Sequence, residues 1–155
     1  MKETEKGISL VVLVITVIVL LIIAAITVYQ GNEIIRSTRL QSLKTDLLLI
    51  QAKVQIYSEQ ANFESNNSML KGTALTESWQ GLEANNEKIR SLSKQDLVDM
   101  GLDIKAEDGD YIVDYQNNEV YYKKGYQTKK DKNGQSKTYY KASEIVQLSA
   151  EDTTL

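Results

Sequence analysis

The apolar and polar positions of this chain fall into two regimes joined end to end. From Ile8 to Tyr29 no residue is charged, and Ser9, Thr16 and Thr27 are the only hydroxyl residues before Tyr29. As a helix rising ~1.5 Å per residue the run spans roughly 33 Å, enough for the ~30 Å hydrocarbon core of a bilayer. Beyond it Leu40, Leu43, Leu47, Ile50, Val54, Tyr57 and Ala61 recur at alternating steps of three and four, with Arg36, Arg39, Lys44, Asp46, Lys53 and Glu59 on the other positions. That spacing predicts one apolar stripe on a helix in water. Leu48, Leu49 and Ile56 are read as widening the stripe over a domain core. Joined, the two regimes predict a single helix from about Ser9 to Ala61, roughly 80 Å long. A bend or fray is expected at Gly31-Asn32, because a helical Gly costs about 1 kcal/mol relative to Ala.

After Ala61, "NFESNNSMLKGTALTESWQG" has no clear period and reads as a connecting loop, anchored by Trp79. "LSKQDLVDMGL" predicts a short helix with Ser93 as N-cap, Asp96 completing a shortened capping box, Leu92 and Leu97 as the staple and Gly101 as the stop. Leu97, Val98 and Met100 are expected to pack on a sheet. "DYIVDYQNNEVYYKKGY" alternates around Gln116, Asn117 and Asn118, predicting a hairpin with strands at about 111–115 and 119–123. A third strand is expected at about 137–142, after the turn at Asn133-Gly134, with Ile145, Val146 and Leu148 as a fourth short strand or a terminal cover. The tail "SAEDTTL" is expected to be loose. The fold class is therefore α+β: a long N-terminal helix, half apolar and half amphipathic, packed by a small antiparallel β-sheet head.

Composition narrows the function. The chain has no Cys, His or Pro. Disulfides and thiolate zinc sites are excluded, the side chain most used as a general base near neutral pH is missing, and nothing forces a long helix to stop. No nucleophile–base pair and no phosphate loop occurs, so the chain is not expected to be an enzyme, and no cofactor or metal is expected. The net charge of -3 conceals a polarity. Residues 123–141 carry seven Lys and one acid (7 - 1 = +6), leaving 11 basic and 20 acidic residues, or -9, elsewhere.

The apolar run exceeds the roughly 7–15 residues of a secretory signal and lacks a good small-x-small site near Ala24, Ala25 and Thr27. Flanking charge does not settle orientation, since Lys2 and Lys6 on one side face Arg36, Arg39 and Lys44 on the other. A short leader before a bulky C-terminal part favours the N-terminus inside and the head outside.

The junction itself carries a resemblance. A short charged leader ending in Lys6-Gly7, then Ile8-Ser9-Leu10-Val11, an unbroken apolar half-helix, an amphipathic half-helix and a β-rich head resembles the type IV pilins and pseudopilins. "KGISLVVLVITVIVLLIIA" is especially similar to pilin-like proteins of Gram-positive anaerobes. The resemblance implies a prepilin peptidase that cuts after Gly7 on the cytoplasmic side and usually methylation of the new terminus, Ile8. It divides the chain into a leader, 1–7; a transmembrane and filament-core half-helix, 8–30; an amphipathic half-helix, 31–62; and an extracytoplasmic head, 63–155. It departs from the family at Val12, where most pilins carry Glu. A carboxylate in a membrane helix costs roughly 2.5–3.5 kcal/mol, recovered when it pairs with a neighbouring subunit's terminal amine. With Val12 the chain packs through apolar contacts alone, occupies a position with no subunit to neutralise, or does not polymerise.

The implied function is a structural subunit of a type IV pilus-like or type II secretion pseudopilus filament. It would be a single-pass cell-membrane protein with its head outside, or part of a cell-surface filament. Membrane lipid, prepilin peptidase, further copies and other pilins are the expected partners. Two alternatives stand beside it: a non-polymerising single-pass protein with a binding head, and a DNA-binding minor pilin. The last would use Lys123, Lys124, Lys129, Lys130 and Lys132, where cations near tyrosines could hold phosphates. The favoured reading of these lysines is a solvated, edge-protecting hairpin, so nucleic acid is not the expected partner. A calcium site at Glu107, Asp108, Asp110 and Asp114 is weaker still, since the 12-residue EF-hand pattern is missing.

Overall fold

In a computed structural model, the backbone is described for residues 2–149 and the side chains for 9–25 and 35–149. Helix α1, Lys2–Glu64, runs for 63 residues, roughly 95 Å. It passes through 31–32 as helix, so the fray expected at Gly31-Asn32 is not seen; the side chains there lie outside the described residues. A 3-10 turn, Asn67–Met69, follows, and then strands β1, Thr73–Ala74, and β2, Ile89–Leu92. Helix α2, Lys94–Asp99, precedes β3, Tyr111–Asp114, β4, Glu119–Gln127, and β5, Thr138–Lys141, and α3, Ala142–Ile145, ends the described fold.

The five strands form one antiparallel sheet in the order β1-β2-β3-β4-β5. The fold is thus α+β, with an N-terminal helix and an antiparallel sheet. β1, of two residues, lies in the stretch read as a connecting loop, and β2 lies just beyond it where no strand was expected; neither carries a strong alternation, since β2 interleaves Arg90 and Ser91 between Ile89 and Leu92. β4 is longer than expected and slips register between Tyr121 and Tyr126. The fourth-strand alternative is corrected: Ile145 belongs to α3, and it and Leu148 cover the core as buried side chains. The tail 150–155 lies outside the described residues.

Alternation along β3 explains the layers. Tyr111 and Val113 point to the α1 side and join Leu47, Ile50, Val54, Leu97, Met100 and Ile145 in the main core. Ile112 points the other way and packs with Leu75, Leu82, Ile89, Tyr121 and Trp79. A central strand covered on both faces buries all four residues. Trp79 anchors its loop as expected, edge-on to Tyr121 at 6.0 Å and Tyr140 at 5.4 Å between centroids.

α2 forms as its sequence dictates. The Ser93 hydroxyl accepts from the Asp96 amide at 3.1 Å, and the Ser93 amide donates to the Asp96 carboxylate at 2.8 Å. Gly101, at φ +77, ends it in a conformation that costs an L side chain strain. Val98 does not pack on the sheet: it is 63% exposed, while Leu97 and Met100 are buried.

Candidate functional site

Three features could do work: the apolar half of α1, the outer face of its amphipathic half, and the lysine-rich β4–β5 hairpin. The first is a continuous uncovered apolar surface. Every large apolar residue from Leu10 to Ile23 is between 46% and 65% exposed, on all sides of the helix. A helix that is hydrophobic all round requires lipid or other apolar helices about it. Among the described residues no helix is long and apolar enough to cross a membrane. The described side chains of the run, 9–25, cover roughly 25 Å, and its remainder to Tyr29 falls outside them. Gly7 and Ile8 lie within α1, with side chains outside the described residues. Val12 is 55% exposed, and its carbonyl accepts the Thr16 hydroxyl at 2.7 Å, so that hydroxyl is satisfied within the helix.

The outer face of the amphipathic half corrects the sequence reading. Leu40, Leu47, Ile50, Val54 and Ala61 are buried under the sheet, but Leu48, Leu49 and Ile56 are 52%, 46% and 48% exposed. Phe63, at 91%, and Ala52 are exposed with them. At about 100° per residue this second stripe lies roughly opposite the first. One helix therefore carries two apolar faces, and the head covers one. The signal was present in the seven-residue spacing of Leu49, Ile56 and Phe63, which places them on one side.

The lysine cluster is divided by the fold. β4 runs back along α1: the Gln51 amide donates to the Asn118 carbonyl at 3.1 Å near one end, and Tyr126 meets Arg36 and Arg39 near the other. Lys129 and Lys130 close a groove of about 340 Å³ with Arg36, Arg39, Tyr126 and Thr128. Burial raises the Tyr126 hydroxyl above the ordinary phenol range, opposed by the nearby Arg36 charge. Lys124 is instead engaged at 3.5 Å by Asp110 and 4.0 Å by Glu107, and these carboxylates hold its ammonium above its usual value. Lys123 is exposed on β4, and Lys132 is exposed in the turn that Asp131 ties down by accepting from the Asn133 and Gln135 amides. Sequence reasoning missed Arg36 and Arg39 as partners of Lys129 and Lys130, because only the strand's course unites them.

The acidic cluster has structural work. Asp108 accepts from the Lys94 amide at 2.8 Å, Asp110 from the Glu107 amide at 2.9 Å, and buried Asp114 from the Gln116 and Asn117 amides. Among the described residues no group of three or more acidic side chains is arranged to hold a metal ion.

Two further anchors hold the head and the loop after α1 in place. Tyr115 donates its hydroxyl to the Lys71 carbonyl at 2.8 Å and accepts at its own carbonyl from Ser58 at 2.8 Å. Burial drives that phenol's pKa up, against the hydrogen bond to Lys71. Arg90 donates to the carbonyls of Glu87, Leu70, Gly72 and Asn67 at 2.6, 2.9, 3.2 and 3.2 Å, pinning the loop after α1 to β2.

No family model, curated protein or solved structure matches the chain.

Proposed function

We propose that the chain is a non-enzymatic structural subunit of a type IV pilin-like or pseudopilin filament. It is held in the cell membrane by residues 8–30 with its head outside, cut after Gly7 by a prepilin peptidase, and assembled with copies or other pilins through α1. The observation that carries this reading is the pair of uncovered apolar surfaces on one helix: the shaft from Leu10 to Ile23, exposed on all sides, and the outward stripe of Leu48, Leu49, Ile56 and Phe63. The shaft suits lipid before assembly and neighbouring shafts after it. The stripe suits a neighbour outside the membrane, where apolar burial still drives association. The Leu–Val–Ile surface around Val12 leaves packing, rather than a carboxylate–amine pair, as the source of cohesion.

Mass measurement of the chain extracted from membranes tests the processing step. The expected mature chain starts at Ile8 with one added methyl group, and a Gly7→Glu variant keeps its leader. A wild-type chain that retains Met1 or Lys2 in membranes contradicts the proposal.

A further inference from the structure

The groove between α1 and the β4–β5 hairpin has a composition and a position that together name a ligand. Arg36 and Arg39 come from one turn of α1, and Lys129 and Lys130 from the chain just beyond β4. Among the described residues none of these four cations makes an ion pair, whereas Lys124 makes two. The nearest acid in the sequence of the hairpin, Asp131, is occupied by the Asn133 and Gln135 amides at 2.8 and 3.0 Å. The hydroxyls beside the groove are also engaged: Ser136 accepts from Gln127 at 2.6 Å, and Thr128 donates to the Lys137 carbonyl at 3.2 Å. Among the described residues, what the groove offers is four positive charges beside Tyr126.

Position follows from helix geometry. Arg36 lies seven residues past Tyr29, about 10 Å along α1, and Arg39 about 15 Å. The polar layer on each side of a bilayer is on the order of 5–8 Å thick, and helical side chains lean toward the helix N-terminus, here toward the membrane. Long basic side chains so placed reach the headgroups, within the ~8–10 Å over which their field acts at physiological salt. A nucleic acid duplex would have to fit between the head and the bilayer's own anionic surface.

We propose that Arg36, Arg39, Lys129 and Lys130 form a docking surface for the phosphates of anionic lipid headgroups, seating the base of the head on the membrane. The proposal rests on the membrane placement of the shaft. The β4–β5 hairpin then acts as a foot: β4 carries Lys129 and Lys130 down along α1 to the level of Arg36, and two guanidiniums with two ammoniums grip phosphates from both sides. Release of that grip accompanies extraction of the subunit from the bilayer.

The full chain is reconstituted in nanodiscs of equal phosphatidylglycerol and phosphatidylcholine, and the lipids it retains on detergent exchange are quantified. Phosphatidylglycerol should be retained over phosphatidylcholine by about fivefold or more, the effect of one basic side chain at an anionic surface. Substituting Arg36→Gln, Arg39→Gln, Lys129→Gln and Lys130→Gln together should abolish the preference. Neutralising Lys88, Lys94, Lys105 and Lys141 to Gln should leave it. A preference that survives the fourfold groove variant overturns the proposal. So does duplex DNA that displaces phosphatidylglycerol from the wild-type chain, which would assign the groove to nucleic acid. Flotation with pure phosphatidylcholine vesicles in high salt separates the two levels. A chain that floats but shows no headgroup preference refutes the docking surface alone, and one that does not float refutes the membrane placement with it.

Discussion

Removing the outward stripe of α1 should cost assembly and spare the fold. In a triple variant Leu49→Ala, Ile56→Ala, Phe63→Ala, each truncated side chain is already exposed, at 46%, 48% and 91%. The helix is not weakened, since Ala is the best helix former. A fully buried Leu, Ile or Phe gains about 1.5–3 kcal/mol over exposure. Leu49 and Ile56 have about half their surface left to bury, and Phe63 nearly all of it. The upper bound is then about 3–6 kcal/mol per interface, and truncation to Ala forfeits about 2–4 kcal/mol of it. That is a loss of about 30- to 1,000-fold in the association constant. The assay is energy transfer between labelled full-length chains in liposomes as lipid dilutes the protein. Urea midpoints of the same samples report the head. The opposite face of the same helix supplies the control: Ile50→Ala, at 0% exposure, should lose about 2–5 kcal/mol of head stability. Unchanged transfer in the triple variant, or a head destabilised as much as by Ile50→Ala, would refute the division of α1 into a folding face and an assembly face.

Three further outcomes follow from local geometry. Arg90→Met, which strips four backbone carbonyls of a charged donor, should destabilise the head by about 2–3 kcal/mol and open the loop between α1 and β2 to protease before the sheet melts. Gly125→Ala places a Cβ 2.6 Å from Thr138 Cγ2 and 2.7 Å from Tyr140 Cε1 at φ +73, so it should cost at least about 1–3 kcal/mol in urea midpoint and loosen the β4–β5 hairpin. Burial raises the Asp46 carboxyl, so its contribution to stability is full below its ordinary value of 3.8 and is lost as pH rises through the folded value. Asp46→Asn should therefore gain stability relative to wild type as pH climbs from about 3.8 towards 7, read as diverging urea midpoints; midpoints that stay parallel contradict the assignment.

How far the fold was legible depended on how much each segment's local chemistry agreed with its place. The stripe from Leu40 to Ala61 announced its buried face because the head leaves no choice of side there. The Ser93–Asp96 box and Gly101 fixed α2 within a few residues. β2 was not legible because its pairing with β3 matters more than its propensity: Ser91 and Arg90 hold register opposite Ile112 and Val113 whatever their intrinsic preference. α3 was missed for the converse reason, as a one-turn helix whose burial comes from position under the sheet rather than from pattern. At the candidate sites, the apolar half of α1 was plain from composition. The outward stripe was misread because periodicity shows that Leu48, Leu49 and Ile56 are apolar on a helix, and not that a head is too narrow to cover them. The groove needed the course of β4, which brings residues some ninety positions apart together.

Filament formation is tested most directly in the sheared surface fraction of cells expressing the full chain, by electron microscopy with an antibody against the head. Thin filaments decorated along their length are expected, whose denatured subunits begin at Ile8, and their loss in the Leu49, Ile56, Phe63 triple variant despite normal membrane levels of the chain. A chain that begins at Ile8, remains in the membrane fraction and never enters a filament would contradict it.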